Sequence, residues 1–146
     1  MKNILFVCTG NTCRSPMAEF ILKDILAQKG VTDVNVSSAG LAVREGDVMH
    51  KNAKSVLQQH GICCDGFVSR QITEGMLDNS DIVLCMTQNH KRFLPQSPKI
   101  VTLGEVTDSA DVADPFGYDE SIYNLCYQQM RGALQKFADL HFDKKD

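Results

Sequence analysis

Cys8 and Arg14 stand at the two ends of one short run, Cys8-Thr9-Gly10-Asn11-Thr12-Cys13-Arg14, followed directly by Ser15-Pro16. A thiolate is a nucleophile, and a guanidinium is a planar, permanently charged fork that can grip two anion oxygens. Gly10 permits backbone angles that most residues resist, and Asn11 tolerates the left-handed region. Curling this run brings its N–H groups toward one centre, a nest suited to phosphate or sulfate. A helix beginning just behind it adds unpaired donors and the positive end of its dipole. In that field the Cys8 thiol is drawn toward its thiolate. A phosphoryl group bound by Thr9, Gly10, Asn11, Thr12, Cys13, Arg14 and Ser15 would then rest directly over a nucleophile.

Displacing phosphorus from oxygen or nitrogen also requires a proton for the departing atom. A carboxylic acid on a loop facing the thiolate supplies it, with a gain of roughly 10²–10⁴-fold. The stretch Asp111-Val112-Ala113-Asp114-Pro115-Phe116-Gly117 is a loop by its Pro and Gly content and carries such carboxyls. Asp-Pro is equally a common way to start a turn.

The elements that must position these groups follow from hydrophobic patterning. Ile4 to Val7 is an apolar run expected of a buried parallel strand. Ser15 is expected as N-cap and Pro16 as the first helical position, with Met17, Ala18, Ile21, Leu22, Ile25 and Leu26 as the stripe and Gly30 as the stop. Val34 to Ser37 predicts a second strand, closed by Ser38-Ala39-Gly40. A weaker helical face spans Val48 to His60 and ends at Gly61. Asp78 to Asp81 is a turn cluster, Ile82 to Met86 a strand, Gln88 to Leu94 a short helix stopped by Pro95, and Lys99 to Leu103 a fourth strand. Ile122, Leu125, Cys126, Met130, Leu134, Phe137 and Leu140 predict the core face of a long final helix. Alternating strands and helices imply an α/β, single-domain, three-layer sandwich over residues 1–146, with a four-stranded parallel sheet covered by helices on both faces. Ligands bind such sheets at the carboxyl ends of the strands, where Cys8 falls.

Composition bounds the partners. The 146 residues carry 43% apolar and 23% charged side chains, enough to bury one core. A net charge of −3 argues against a dedicated nucleic-acid binder. The amino-terminal apolar run is too short for a signal peptide, and no stretch reaches membrane-spanning length, so no membrane association and a cytoplasmic location with reduced thiols are expected. The six cysteines show no C-x-x-C pattern. His50, His60, His90 and His141 show no metal-ligand spacing and read as exposed or capping residues. Tyr118 and Tyr123 read as the rim of a substrate groove, and Lys144-Lys145 as a frayed tail.

The run from Cys8 to Glu19 resembles the low-molecular-weight protein-tyrosine phosphatase family, whose signature C-x5-R-S it fits. The resemblance implies a cysteine-dependent phosphoprotein phosphatase with Cys8 as nucleophile and Arg14 as phosphate anchor. Asp114, within Asp114-Pro115-Phe116, matches the family's general acid; Asp111 and Asp119 lack the following proline. It further implies a phosphocysteine intermediate, Ser15 hydrogen-bonded to the Cys8 sulfur, phosphorylated proteins as substrates, inorganic phosphate as product, and neither metal nor cofactor. Ser38-Ala39-Gly40 matches a stretch that supports the phosphate loop, and an ordinary loop fits it equally. Thr12 and Phe116 resemble the specificity residues of the bacterial protein-arginine phosphatase branch, since a small hydroxyl suits a guanidinium better than a phenyl ring. Leu41-Ala42-Val43 depart from that branch, which places an aromatic wall there. Phosphotyrosine is the alternative substrate. An arsenate reductase would need a cysteine relay, yet Cys85 lies in an expected strand, Arg92 stands seven residues on, and Cys63 adjoins Cys64. A silent phosphopeptide-binding module would not need Cys8, Arg14 and Asp114 together. Cys13 is open to two readings, packing at the helix start or a reversible disulfide with Cys8.

Overall fold

The computed structural model describes residues 1–142, so the Lys144-Lys145 tail lies outside the described residues. The chain runs β1 (Asn3–Cys8), α1 (Arg14–Gln28), β2 (Asn35–Gly40), α2 (Lys51–Gln59), α3 (Glu74–Asn79), β3 (Ile82–Cys85), α4 (Gln88–Arg92), β4 (Ile100–Thr102), α5 (Leu103–Thr107) and α6 (Glu120–His141). The four strands form one parallel sheet in the order β2-β1-β3-β4. From β1 the chain passes to β2 on one side and then crosses back to β3 on the other, so the strand order reverses at β1, the crevice where such sheets bind ligands.

Two cores flank the sheet because β1 alternates. Ile4, Phe6 and Cys8 join the larger core with α1, α2 and α6, while Leu5 and Val7 join a smaller one with Ala39, Val83, Cys85 and Ile100. Met76 and Leu77 of α3, together with Leu94, cover that smaller face. No helix among the described residues is long and apolar enough to cross a membrane.

Several boundaries differ from expectation, each for a local reason. α1 begins at Arg14 with Cys13 as its N-cap, so Ser15 and Pro16 already lie inside the first turn. Pro16 is tolerated there because the first four helical N–H groups have no partner within the helix. The α1 stop is as expected: Gly30 takes φ +74, its N–H bonds Ala27 O (3.1 Å), and Val31 N–H bonds Leu26 O (2.9 Å), a Schellman closure. β2 continues through Ser38-Ala39-Gly40 instead of ending before it. The short helices α3 and α5 had no apolar stripe to announce them; Asp78 and Asn79 of the expected turn close α3. On α6, Cys126, Met130, Leu134 and Phe137 are buried as expected, but Ile122, Leu125 and Leu140 are exposed. Tyr123, Tyr127 and Ala138 take the inner positions, because the helix turns its aromatic rings toward α1 and α2.

Candidate active site

Between β1 and α1 the chain turns through Thr9 to Cys13. Asn11, not Gly10, supplies the left-handed residue, with φ +54. Its buried side chain is fully engaged: Nδ2 donates to Ser15 Oγ (2.8 Å) and Ser38 Oγ (2.9 Å), and Oδ1 accepts from Arg70 N–H (2.9 Å). Its carbonyl accepts from Ser69 Oγ at 2.6 Å. Ser38 in turn donates to Glu19 Oε1 (2.7 Å), and Lys23 closes on Glu19 Oε2 (2.7 Å). One hydrogen-bonded line therefore runs from the surface toward Cys8, ending at Ser15 Oγ, 2.9 Å from Cys8 Sγ. A thiolate sulfur can only accept, so with Cys8 ionised Ser15 is the donor. Gly40 lets β2 press against this loop: a Cβ there would lie 2.7 Å from Thr9 O and 2.9 Å from Asn11 N.

The start of α1 differs from every other described helix start. His50, Thr73, Thr87, Thr102 and Asp119 each cap their helix through a side chain. Cys13 makes no such bond, and no acidic residue occupies the first turn of α1. The leading N–H groups and positive dipole end of this one helix are left for an external anion.

They open on a cavity of about 490 Å³ that brings together Cys8, Thr9, Gly10, Thr12, Cys13, Arg14, Asp114 and Phe116. Arg14 is nearly buried, with Nη1 donating to Val112 O (3.0 Å) and Nη2 lying 3.4 Å from His90 Nε2 and 3.8 Å from Asp114 Oδ2. Asp114 is more than half exposed and turns Oδ1 back to accept from Phe116 N–H at 3.0 Å, which fixes the loop. Phe116 is exposed and stands edge-on to the His50 ring at 5.8 Å; His50 stacks on Tyr123 at 5.2 Å. The Tyr123 hydroxyl is 3.4 Å from Cys13 Sγ. Burial pushes the Cys13 thiol up from its ordinary value, against the bonds from Tyr123 and Thr12.

Cys8, Arg14, Asp114, Thr12 and Phe116, the first and last of them more than a hundred residues apart in the chain, thus face one space. Asn11 and Ser15 lie beneath it, fully buried. Two readings need correction. Tyr123 is not a groove rim but wholly buried core. His90 is neither exposed nor a helix cap: it is buried behind Arg14, and burial followed by the Arg14 charge brings it down to about 4. Arg44, Asp47, Val48 and His50 also line the cavity. They sit on a loop with no repeating pattern, and only the tertiary fold reveals them. Cys85 is fully buried and its thiol is pushed up to about 12, which makes it a poor member of any thiol relay. No three His, Cys, Asp or Glu side chains among the described residues are grouped as a metal site.

Residues 3–145 match the family model described as low molecular weight phosphotyrosine protein phosphatase. The chain is similar to a protein-arginine-phosphatase of Bacillus subtilis, 38% identical over 143 residues, covering 93% of this chain and 94% of the relative. It is also similar to the low molecular weight protein-tyrosine-phosphatase YfkJ of Bacillus subtilis, 32% identical over 156 residues and covering 99% of each. Among solved structures, a YwlE arginine phosphatase mutant with a phosphorylated active-site serine superposes with a TM-score of 0.89 at 34% identity, covering 94% of each chain.

Proposed function

Because the chain belongs to the low molecular weight phosphotyrosine protein phosphatase family, we propose that it hydrolyses phosphoarginine on proteins through a phosphocysteine formed on Cys8. The observation that carries this reading is the uncapped start of α1 opening on a cavity with Cys8 at its floor and Asp114 on its wall. In the first step the Cys8 sulfur attacks phosphorus in line. The S–P bond forms as the P–N bond breaks, and Asp114 protonates the departing guanidino nitrogen. Backbone N–H groups of the Thr9–Arg14 loop and the Arg14 guanidinium hold the three oxygens. In the second step Asp114, now a carboxylate, takes a proton from water, whose oxygen attacks phosphorus. Inorganic phosphate leaves and Cys8 departs as a thiolate, eased by the Ser15 hydroxyl at 2.9 Å.

Arginine is favoured over tyrosine by two residues of the cavity wall, Thr12, whose small hydroxyl suits a polar, planar group, and Phe116, which offers one stacking face. Relatives bearing both names match along nearly the whole chain. The test is initial rates on phosphoarginine and phosphotyrosine peptides of matched sequence, for the wild type and Thr12→Ile, with Cys8→Ser as blank. Faster turnover of phosphoarginine that collapses in Thr12→Ile is expected. A wild-type preference for phosphotyrosine returns the chain to tyrosine specificity. Cys13, buried at the same cavity, is proposed as the partner for a protective disulfide with Cys8. Recovery of activity after peroxide should then be lost in Cys13→Ser, and unchanged recovery would sink that part.

A further inference from the structure

His90 belongs to α4, outside the phosphate loop, yet its ring touches both ends of that loop. Nε2 lies 3.0 Å from Thr9 Oγ1 and 3.4 Å from Arg14 Nη2, while Nδ1 lies 3.1 Å from Thr87 Oγ1. A guanidinium has no lone pair, so its contact requires Nε2 to be the acceptor and places the ring proton on Nδ1, which donates to Thr87. Thr87 Oγ1 also accepts from the His90 N–H at 3.2 Å, so the same oxygen caps α4 and holds the tautomer. Of the guanidinium's donors, Nη1 is committed to Val112 O. Among the described residues, the other polar side chain paired with Nη2 is the exposed Asp114 carboxylate, 3.8 Å away.

We propose that His90 is a positioning residue: its Nε2 lone pair fixes Arg14 and Thr9 so that the guanidinium presents its remaining N–H groups to the phosphoryl oxygens rather than swinging to Asp114. This rests on the phosphatase reading of the cavity.

The substitutions His90→Gln and His90→Asn separate positioning from packing. Glutamine carries an oxygen near the reach of Nε2 and asparagine one near the reach of Nδ1. His90→Asn should lower kcat by about 10–100-fold, as sub-ångström misplacement of a phosphate anchor does, and weaken inhibition by inorganic phosphate. His90→Gln should restore both to within about threefold of wild type, with the two variants melting at similar temperatures. Equal kcat in the two variants would overturn the proposal, whether both are slow or both are wild-type. Independently of activity, long-range ¹H–¹⁵N correlation on the wild type should show His90 as the Nδ1–H tautomer; an Nε2–H tautomer overturns it even where variants fail to fold. If Cys8→Ser retains turnover, the phosphatase reading fails instead, and the tautomer result still stands.

Discussion

Two neighbouring units of the sheet begin alike and end differently. β1 and β3 are adjacent parallel strands, with Val7 beside Cys85, and each closes on a cysteine, Cys8 or Cys85. After Cys8 the chain takes a loop, and α1 starts without a side-chain cap. After Cys85 it takes only Met86 and Thr87, and Thr87 caps α4 at once. In the second unit the helix donors are taken by the protein itself, the His90 N–H by Thr87 Oγ1 and the Gln88 N–H by Asp111 Oδ2. Cys85 faces the smaller core, with its thiol pushed up to about 12 by burial, against which the Lys91 charge is a lesser influence. Strand-end position alone therefore does not distinguish the two cysteines; an uncapped helix start and a serine hydroxyl at hydrogen-bond distance set Cys8 apart.

The largest expected effect tests this contrast directly. Cys8→Ser should reduce kcat on the order of 10⁴-fold or more, as loss of a nucleophile does. Cys85→Ala should leave kcat within about threefold and cost about 1–2 kcal/mol of stability for the small void it leaves. Steady-state kinetics and urea unfolding decide it, and a large rate loss in Cys85→Ala would erase the distinction between the two units.

The next effect strikes the contact that shapes the first unit. Gly40→Ala would push a methyl against Thr9 O and Asn11 N, backbone atoms that cannot rotate away. The expected cost is about 1–3 kcal/mol of stability. Displacement of the loop should add a fall of roughly 10–100-fold in kcat. A folded Gly40→Ala enzyme with unchanged kcat would show that β2 does not hold the phosphate loop in place.

Much of the first unit was legible in the sequence because its chemistry is local. Cys8, the turn residues and Arg14 are contiguous, and the apolar runs on either side announce a strand and a helix. The start of α1 differs from expectation because Ser15 has the composition of a cap while its hydroxyl is turned to Asn11 and Cys8. On α6 the 3.6-residue period selects the correct helix and the inner positions Cys126, Met130, Leu134 and Phe137, but not the exposed Ile122, Leu125 and Leu140. Tyr123 and Tyr127 are amphipathic, and their burial depends on partners from α1, α2 and the cavity. His90 departs from an exposed or capping role for a related reason: a lone histidine on a short helix carries no spacing signal, and its significance lies wholly in which loop it meets. The same holds for Arg44, Asp47 and His50.

His90 links the two units, and its burial makes a thermodynamic prediction. The ring is brought from 6.5 down to about 4, first by burial and then by Arg14, with Asp114 and Asp111 opposing. Its folded value lies below its unfolded one, so the unfolded chain takes up a proton first as pH falls. The stability associated with a neutral His90 is complete above about 6.5 and drains away as pH drops toward about 4. Relative to His90→Gln, the wild type should lose on the order of 2 kcal/mol between pH 7 and about pH 4.5. Chemical denaturation at the two pH values measures it. Parallel pH dependence of the two proteins would mean that His90 is not held neutral by the fold.

The smallest effect separates a cap that only caps from one that also serves the site. Thr73 and Thr87 occupy the same position on α3 and α4, each accepting from a backbone N–H of its first turn. Thr73→Ala and Thr87→Ala should each cost about 1 kcal/mol, the usual worth of an N-cap hydroxyl. Only Thr87 also stands 3.1 Å from His90 Nδ1. Its loss frees the ring to exchange tautomers, and in the Nε2–H form the ring can no longer accept from Arg14. Thr87→Ala should therefore lower kcat severalfold while Thr73→Ala leaves it unchanged at matched stability. Equal kinetics in the two variants would leave α4 a packing element, and the first unit would then stand without support from the second.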